Sequence, residues 1–140
     1  MRSDIPQLFW RWGQVTKSGA YGTLPRILVV EDDALIAMEL GERLADMGFE
    51  VLGPAHSIAE AEQLLARETP DAALLDARLG GGASSVPLGL VLHSKGVPFA
   101  FCTGYDRVKE APPELANAPV LTKPVNDDDI KACLEKLLSL

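Results

Sequence analysis

Five polar residues stand at the ends of four short apolar runs: Glu31 and Asp32 after the first, then Asp76, Thr103 and Lys123. The carboxylates offer oxygen ligands to a hard cation, and a few protein oxygens completed by waters suit Mg²⁺. A carboxylate can also accept a phosphoryl group as an acyl phosphate, and Asp76 is the natural nucleophile. Thr103 offers a hydroxyl donor and Lys123 a mobile positive charge for phosphoryl oxygens. These residue types therefore indicate phosphoryl-group chemistry beside a cation.

Each of these residues also has a simpler explanation. Asp76 could be a loop acid, Thr103 a helix cap and Lys123 a solvated surface charge. Asp33, next to the acid pair, is better explained as a helix cap than as a ligand. Three acids in one pocket repel each other, so a bound cation or raised pKa values must relieve them. Chance is a poor explanation for polar groups of these types at the ends of four strands in order. We therefore prefer one shared site over separate explanations for each residue.

Apolar segments predict the strands that would position these residues. Five are expected, at 26–30, 50–52, 72–75, 98–102 and 119–121. The second is expected to stop at a Gly-Pro pair, and the glycine-rich stretch 79–85 is expected to be a loop. Because the first run is apolar throughout, it is typical of a central parallel strand that is buried on both faces.

Helical periodicity predicts a helix after each strand. These helices are expected at about 34–47, 58–69 and 87–94, from about 106, and from about 127. The expected caps are Asp33, Ser57 and Asn126 at the starts, with Gly48 and Gly96 at the ends. The fourth helix should be short, because Pro112 and Pro113 remove donors and clash within a helix.

Strict alternation of strands and helices implies a parallel sheet with helices on both faces and right-handed crossovers. In such folds, ligands bind at the carboxyl ends of the strands, where the strand order reverses. That rule brings together the ends of the first, third, fourth and fifth strands. The polar residues named above should therefore share one edge of the sheet.

Composition limits the possible functions. The 140 residues suit one domain, and the apolar runs are far shorter than the roughly 18 residues that span a bilayer. We read no export signal at the start of the chain. Residues 1–26 carry a net charge of +3 (Arg2, Arg11, Lys17 and Arg26 against Asp4). Because the whole chain has a net charge of −7, residues 27–140 carry −10. Such an acidic body argues against direct nucleic-acid binding and favours cations or basic protein partners.

Two further features concern location and domain limits. Cys102 and Cys133 both lie in apolar segments, which favours buried free thiols in a reducing cytoplasm over a disulfide. Residues 1–25 are predicted to be an N-terminal extension, either flexible or docking, and residues 26–140 the folded domain. The docking alternative rests on the aromatic-rich stretch 8–12, since aromatic side chains often anchor contacts between surfaces.

At this point the chain resembles the response-regulator receiver domain of bacterial two-component signalling, over about residues 27–140. The marks of the resemblance are Val29-Val30-Glu31-Asp32-Asp33, Leu75-Asp76, Thr103 and Lys123-Pro124. The resemblance implies an α/β fold, a doubly wound (βα)5, flavodoxin-like three-layer sandwich with parallel sheet order 2-1-3-4-5. It implies Asp76 as the phosphoacceptor, and Mg²⁺ bound in the acidic pocket by Asp32, Asp76 and the backbone carbonyl of Arg78, beside Glu31.

The resemblance also assigns the remaining site residues and the partner. Thr103 and Lys123 would contact the phosphoryl oxygens, and the Lys123–Pro124 peptide bond is expected to be cis. The donor would be a phosphohistidine on a sensor histidine kinase or a phosphotransfer protein. The stretch 98–105 is similar to the Pro-Phe-x-Phe-x-Thr-Gly-Tyr signature of the "FAT GUY" receivers, which are associated with kinases of the HWE/HisKA2 type and with general stress signalling.

One departure from the family concerns how phosphorylation is sensed. Many receivers have Tyr or Phe three residues before the lysine, whereas this chain has Val120. Tyr105 is our candidate replacement for that moving aromatic, with Gly104 in the same switch loop. A plain packing or surface tyrosine is the alternative.

We expect a phosphorylation-controlled protein-interaction switch and not an enzyme, beyond Mg²⁺-dependent phosphorylation and dephosphorylation of the chain itself. The alternatives are a phosphate sink or relay intermediate, or a receiver separated from a hybrid kinase. A hydrolase of the haloacid-dehalogenase type is rejected. Such enzymes need Asp-x-Asp after the first strand, whereas Asp76-Ala77-Arg78 follows the third.

Overall fold

The computed structural model describes residues 24–104, 108 and 111–139 and places a five-stranded parallel sheet at the centre. Its strands are β1 (Arg26–Val30), β2 (Glu50–Ala55), β3 (Ala72–Asp76), β6 (Phe99–Thr103) and β7 (Val120–Thr122). They lie in the order β2-β1-β3-β6-β7. Numbering only these five strands in chain order gives 2-1-3-4-5, so the predicted fold class and strand order are confirmed.

Four α-helices pack on the sheet in the described part of the chain. They are α1 (Ala34–Asp46), α2 (Ile58–Arg67), α3 (Val86–Ser94) and α4 (Asp127–Leu137). Side chains of β1 alternate between two cores: Ile27 and Val29 are buried with residues of α1 and α4, while Leu28 and Val30 are buried with residues of α2 and α3. Both faces of the sheet are therefore covered, as a three-layer sandwich requires.

The predicted N-caps are confirmed. The Asp33 carboxylate accepts hydrogen bonds from the backbone N–H groups of the next two turn residues, Leu35 and Ile36, at 3.0 and 3.1 Å. The Ser57 hydroxyl accepts from Glu60 N at 3.1 Å, and the Asn126 carbonyl oxygen accepts from Asp129 N at 2.8 Å. The start of each of these helices is thus set by a local side chain.

Strand β2 is longer than predicted, and the expected stop at Gly53-Pro54 is wrong. The strand continues to Ala55, with a shift of register against β1 between Leu28 and Val30. Pro54, which lacks an N–H, fits because β2 lies at the edge of the sheet and has a bulge here. The Gly53–Pro54 peptide bond is cis, and Gly53 has φ of 99°, a value that favours glycine.

The stretch 79–85, predicted to be a loop, has regular structure. Strands β4 (Arg78–Leu79) and β5 (Ala83–Ser84) form a two-stranded antiparallel hairpin around a single 3-10 turn, Gly80–Gly82. The hairpin is too short for strand periodicity to reveal it, which explains why its glycines suggested only a loop.

The predicted fourth helix is not confirmed. Its expected start near residue 106 lies outside the described residues, as do residues 1–23 and Tyr105. Val108, within the expected helix, is not helical, and the helical segment described between β6 and β7 is a 3-10 turn, Pro113–Leu115. In the described residues, the double proline leads into this 3-10 turn and not into an α-helix, because proline lacks the N–H donor and clashes within a helix. Among the described helices, none is long and apolar enough to cross a membrane.

Candidate functional site

The strand register brings the predicted site residues to one edge of the sheet. Val30 is paired with Leu75 across β1 and β3, so Glu31 and Asp76 follow at the same level. Asp76 is in turn paired with Cys102, one residue before Thr103. Thr103 is paired with Thr122, one residue before Lys123. Each of these parallel strands therefore delivers its terminal polar residue to the same edge of the sheet.

Three carboxylates form the centre of this edge. One oxygen each of Glu31, Asp32 and Asp76 lies within 4.8 Å of the others, close enough for a shared cation. Glu31 is buried, whereas Asp32 is exposed. Burial raises the pKa of the Glu31 carboxyl; a hydrogen bond from Asp33 N lowers it, and the charge of Asp76 raises it again. The carboxylates of the cluster therefore repel each other, as expected for like charges in one pocket.

Lys123 lies between two of these acids. Its Nζ atom is 3.4 Å from Asp76 Oδ1 and 3.5 Å from Glu31 Oε1. Burial alone lowers the pKa of Lys123, but the charges of Asp76 and Glu31 outweigh burial and raise it. Lys123 N donates to the backbone oxygen of Thr103 at 2.7 Å, and the peptide bond to Pro124 is cis, as predicted. The lysine is therefore charged and held within reach of the acceptor carboxylate.

The β4–β5 hairpin covers one side of Asp76. The backbone N–H of Arg78 donates to Asp76 Oδ1 at 3.3 Å, and the Arg78 guanidinium donates to Gly82 O at 2.9 Å. A Cβ atom on Gly80 would lie 3.5 Å from Asp32 Oδ2, so the turn of the hairpin passes close to the acids. The Asp76 side chain is 12% exposed, which leaves part of it accessible to solvent.

The predicted switch residues are less closely connected to the acids. Thr103 is buried at the end of β6, and Gly104 follows it in an exposed position. Val120 pairs with Phe101 and packs, partly buried, against the core under α2 and α3. Tyr105 lies outside the described residues. The structure thus places Thr103 at the edge, and Val120 two residues deeper in β7 than Thr122.

Two features of the site were not expected from the sequence. The His56 ring is hydrogen-bonded through Nδ1 to the backbone oxygen of Glu31 at 3.0 Å. Because β2 was predicted to end at residue 52, nothing placed His56 beside the acids. A cavity of about 420 Å³ also opens next to Asp76, between α1 and the β7–α4 connection, with Ile36 and Cys102 among its walls. Its walls come from distant segments, so no sequence pattern signals it.

Comparison with known proteins assigns the class of protein that this fold and site define. The sequence matches the family described as "Response regulator receiver domain" over residues 27–135. The chain belongs to the receiver domain family of response regulators, which confirms the resemblance. Receiver domains bind Mg²⁺ at an acidic cluster, and this chain has such a cluster in Glu31, Asp32 and Asp76. The narrower "FAT GUY" grouping stays a prediction.

The similar proteins described next include a transcriptional regulatory protein and a response regulator. The chain is 29% identical over 117 residues to the transcriptional regulatory protein PdtaR of Mycobacterium tuberculosis, covering 81% of this chain and 57% of PdtaR. The solution structure of SdrG from Sphingomonas melonis Fr1 is similar with a TM-score of 0.69 and 34% identity, covering 82% of this chain and 97% of SdrG.

The response regulator PhyR from Brucella abortus is similar with a TM-score of 0.70 and 30% identity, covering 84% of this chain and 49% of PhyR. PhyR is described in another solved structure as a stress response regulator. The chain therefore spans about half the length of PdtaR and PhyR, and nearly the whole of SdrG.

Proposed function

We propose that this chain is a phosphoacceptor response regulator that takes up a phosphoryl group on Asp76 and changes its contacts with other proteins in response. The observation that carries the proposal is the position of Lys123, whose Nζ lies 3.4 Å from Asp76 Oδ1 beside two further acids. A lone nucleophilic carboxylate, a cation-binding cluster and a fixed lysine are the groups that phosphoryl transfer requires.

Mg²⁺ is the proposed cofactor, and the donor set fits it. Glu31, Asp32 and Asp76 offer only oxygen atoms, the ligands that hard cations prefer, and exposed Asp32 leaves room for bound waters. The family resemblance implies the backbone carbonyl of Arg78 as the fourth proposed ligand, and Arg78 N lies 3.3 Å from Asp76 Oδ1. When bound, Mg²⁺ supplies positive charge beside the transferred phosphoryl oxygens.

In the proposed reaction, an Asp76 carboxylate oxygen attacks the phosphorus of a phosphohistidine. A P–O bond forms as the P–N bond breaks, and the histidine leaves with the bonding electron pair and takes up a proton. Lys123 and Thr103 bind the phosphoryl oxygens during transfer. Their backbones are linked, because Lys123 N donates to Thr103 O, so the two contacts are held in a fixed relation. The chain catalyses no other reaction in this proposal.

The proposed output is a change at the connection from β6 to β7. Thr103 would be drawn toward the phosphoryl group, and Gly104 and Tyr105 follow it directly in the chain. A ligand can shift such an equilibrium only by contacting one state better than the other, and the Thr103 contact provides that difference. Tyr105 takes the role of the moving aromatic in this proposal, because Val120 cannot.

The proposed donor is a sensor histidine kinase of the HWE/HisKA2 type or a phosphotransfer protein, in general stress signalling within the cytoplasm. The signature at 98–105 and the similarity to PhyR support this pathway.

Both cysteines are free. Burial raises the pKa of Cys102 to about 12 and that of Cys133 to about 11, so both thiols are protonated and unreactive at neutral pH.

Asp76→Asn tests the assignment of the phosphoacceptor. The variant should take up no phosphoryl group from a small phosphodonor with Mg²⁺, or from a cognate kinase, because an amide is not a nucleophile for this reaction. Intact-mass measurement and radiolabel transfer give the readout. Asp46→Asn, an exposed aspartate at the end of α1, is the matched control and should be labelled like wild type. An acid-stable or undiminished label in Asp76→Asn would contradict the proposal.

A further inference from the structure

A second cavity lies in the groove between helix α1 and strand β2. Its volume is about 760 Å³, within the range of roughly 300–1000 Å³ that protein pockets occupy. Phe49 and Val51 form part of its floor, and Met38 of α1 stands on its wall with 55% of its surface exposed. An apolar groove with an exposed methionine on its wall has the character of a binding surface.

The groove begins where the described chain begins. Leu24 is part of its lining, so the segment 1–23 connects to the groove directly. The linking residues 13–23 can extend roughly 36 Å, whereas α1 is only about 20 Å long. The aromatic-rich stretch 8–12 can therefore reach every part of the groove without straining the connection.

Charge also favours this occupant. The described residues that line the groove include Glu42 and Glu50 and no lysine or arginine, although Arg26 lies 3.6 Å from Glu50. The segment 1–23 is basic, with Arg2, Arg11 and Lys17 against Asp4, and the rest of the chain is strongly acidic. The cavity beside Asp76 is less suitable, since Arg43 and Lys123 offset most of the charge of its three acids, and Leu24 is not part of its lining.

We infer that the groove between α1 and β2 binds the chain's own N-terminal segment, with Leu8, Phe9, Trp10 and Trp12 supplying the apolar contacts. Arg11, between the two tryptophans, would lie near the acidic rim at Glu42. Tryptophan contributes a large apolar area with few rotatable bonds, so two of them in one groove form an effective anchor. None of the groove residues belongs to the acid cluster, and His56 on its lining contacts that cluster through the backbone oxygen of Glu31.

The chain's tryptophan content makes the test direct. Trp10 and Trp12 are its only two tryptophans, so tryptophan fluorescence of the full chain reports on this segment alone. The emission of wild type should lie to the blue of a synthetic peptide of residues 1–23, and acrylamide should quench it less. Met38→Lys places a charge on the wall of the groove and should reduce the docked-to-undocked ratio about tenfold. Its emission and quenching should then approach those of the peptide.

Two matched controls separate the groove from general effects. Leu90→Lys alters another exposed apolar residue, on α3 in the opposite layer, and should leave the fluorescence unchanged. Glu42→Lys should weaken docking, and Glu62→Lys on α2 should not, if charge on the rim contributes. Circular dichroism establishes that each variant is folded, which is expected because all four residues are at least partly exposed.

Three outcomes would overturn the inference. Wild-type fluorescence equal to that of the peptide would mean that the segment is not docked. Protected tryptophans that Met38→Lys and Glu42→Lys leave unchanged would mean that it docks elsewhere. Protection that is lost on dilution would assign the groove to the segment of another copy, and the intrachain contact would be wrong.

Discussion

The acid edge and the β6–β7 connection are neighbours in space but are built in different ways. At the acid edge, the register of parallel strands fixes the level of Glu31 and Asp76, and Lys123 contacts both. The connection is built differently: among its described residues, 104, 108 and 111–119, the regular element is a 3-10 turn at Pro113–Leu115, which packs near α3. The comparison shows that the register of parallel strands positions the acids, whereas the described turn of the connection is positioned by side-chain packing of Leu115 against α3.

The largest expected effect is at the acid edge. Lys123→Ala should lower the rate of phosphoryl uptake on Asp76 by about a hundredfold, the loss typical when one fixed charge or donor is removed from a transition state. The rate is measured with a small phosphodonor and saturating Mg²⁺. Lys95→Ala, an exposed lysine after α3, is the control and should react like wild type. Unchanged uptake without Lys123 would remove it from the site.

Tyr105→Ala should separate the two regions. Phosphoryl uptake on Asp76 should stay at the wild-type level, whereas the phosphorylation-dependent change around Thr103 and Val108 should be lost. Amide chemical shifts with and without a phosphoryl mimic give the readout. Tyr105→Phe is the control, because it keeps the ring. A full response in Tyr105→Ala would show that this tyrosine is not the moving aromatic, and Val120→Tyr then asks whether the usual position can act instead.

Packing between α3 and the 3-10 turn offers a test of how the connection is held. A Cβ atom on Gly89 would lie 3.0 Å from Leu115 Cδ1 and 3.1 Å from Phe99 Cζ. Gly89→Val should therefore lower the free energy of unfolding by about 1–3 kcal/mol, the usual effect of overpacking. Urea unfolding measures it. Gly41→Ala on α1 is the control, since its Cβ would meet only Val51, at 3.9 Å, and should be neutral or stabilising. Equal stability of Gly89→Val and wild type would show that the turn moves freely.

The smallest expected effect concerns pH. Because burial raises the pKa of Glu31 above its ordinary value of 4.5, the folded protein binds this proton more tightly than the unfolded chain. The contribution of Glu31 to stability therefore falls as pH rises from 4.5 through the folded pKa. Glu31→Gln has no such proton, so in metal-free buffer it should be more stable than wild type at pH 7. That difference should shrink as the pH falls below 4.5.

Chemical unfolding at several pH values gives this comparison. Glu62→Gln, an exposed glutamate on α2, should show no pH-dependent difference from wild type. With Mg²⁺ present the order should reverse, because Glu31→Gln lacks one of the proposed ligands. A Glu31→Gln variant that is less stable than wild type at pH 7 without metal would contradict the assignment of strain to the acid cluster.

The sequence predicted the acid edge well for an identifiable reason. The candidate site residues of that edge lie at or just after the ends of apolar strands, and parallel strands carry their carboxyl ends to one side. The helix caps were equally predictable, because Asp33, Ser57 and Asn126 bond to amides within three residues. Such features depend on short sequence distances and on one topological rule, so a single chain suffices to read them.

The structural features that were not predicted from the sequence depend on contacts between residues distant in the chain. The extension of β2 through Pro54 depends on a bulge against β1, which lies more than 20 residues away in the chain. Each strand of the β4–β5 hairpin is only two residues long, so the hairpin has no periodicity to detect. The groove beside α1 and the cavity beside Asp76 are spaces between elements, and no residue pattern encodes a space.

By itself, the sequence determined the alternation of the five sheet strands with the four confirmed helices, the N-caps, and the nature of the groups at the strand ends. Those follow from side-chain chemistry and local periodicity. The tertiary structure alone decided that Lys123 lies between Asp76 and Glu31, that His56 contacts the backbone of Glu31, and that α1 and β2 leave a groove open. These are distances between residues far apart in the chain, and only the packing of helices on both faces of the sheet sets them.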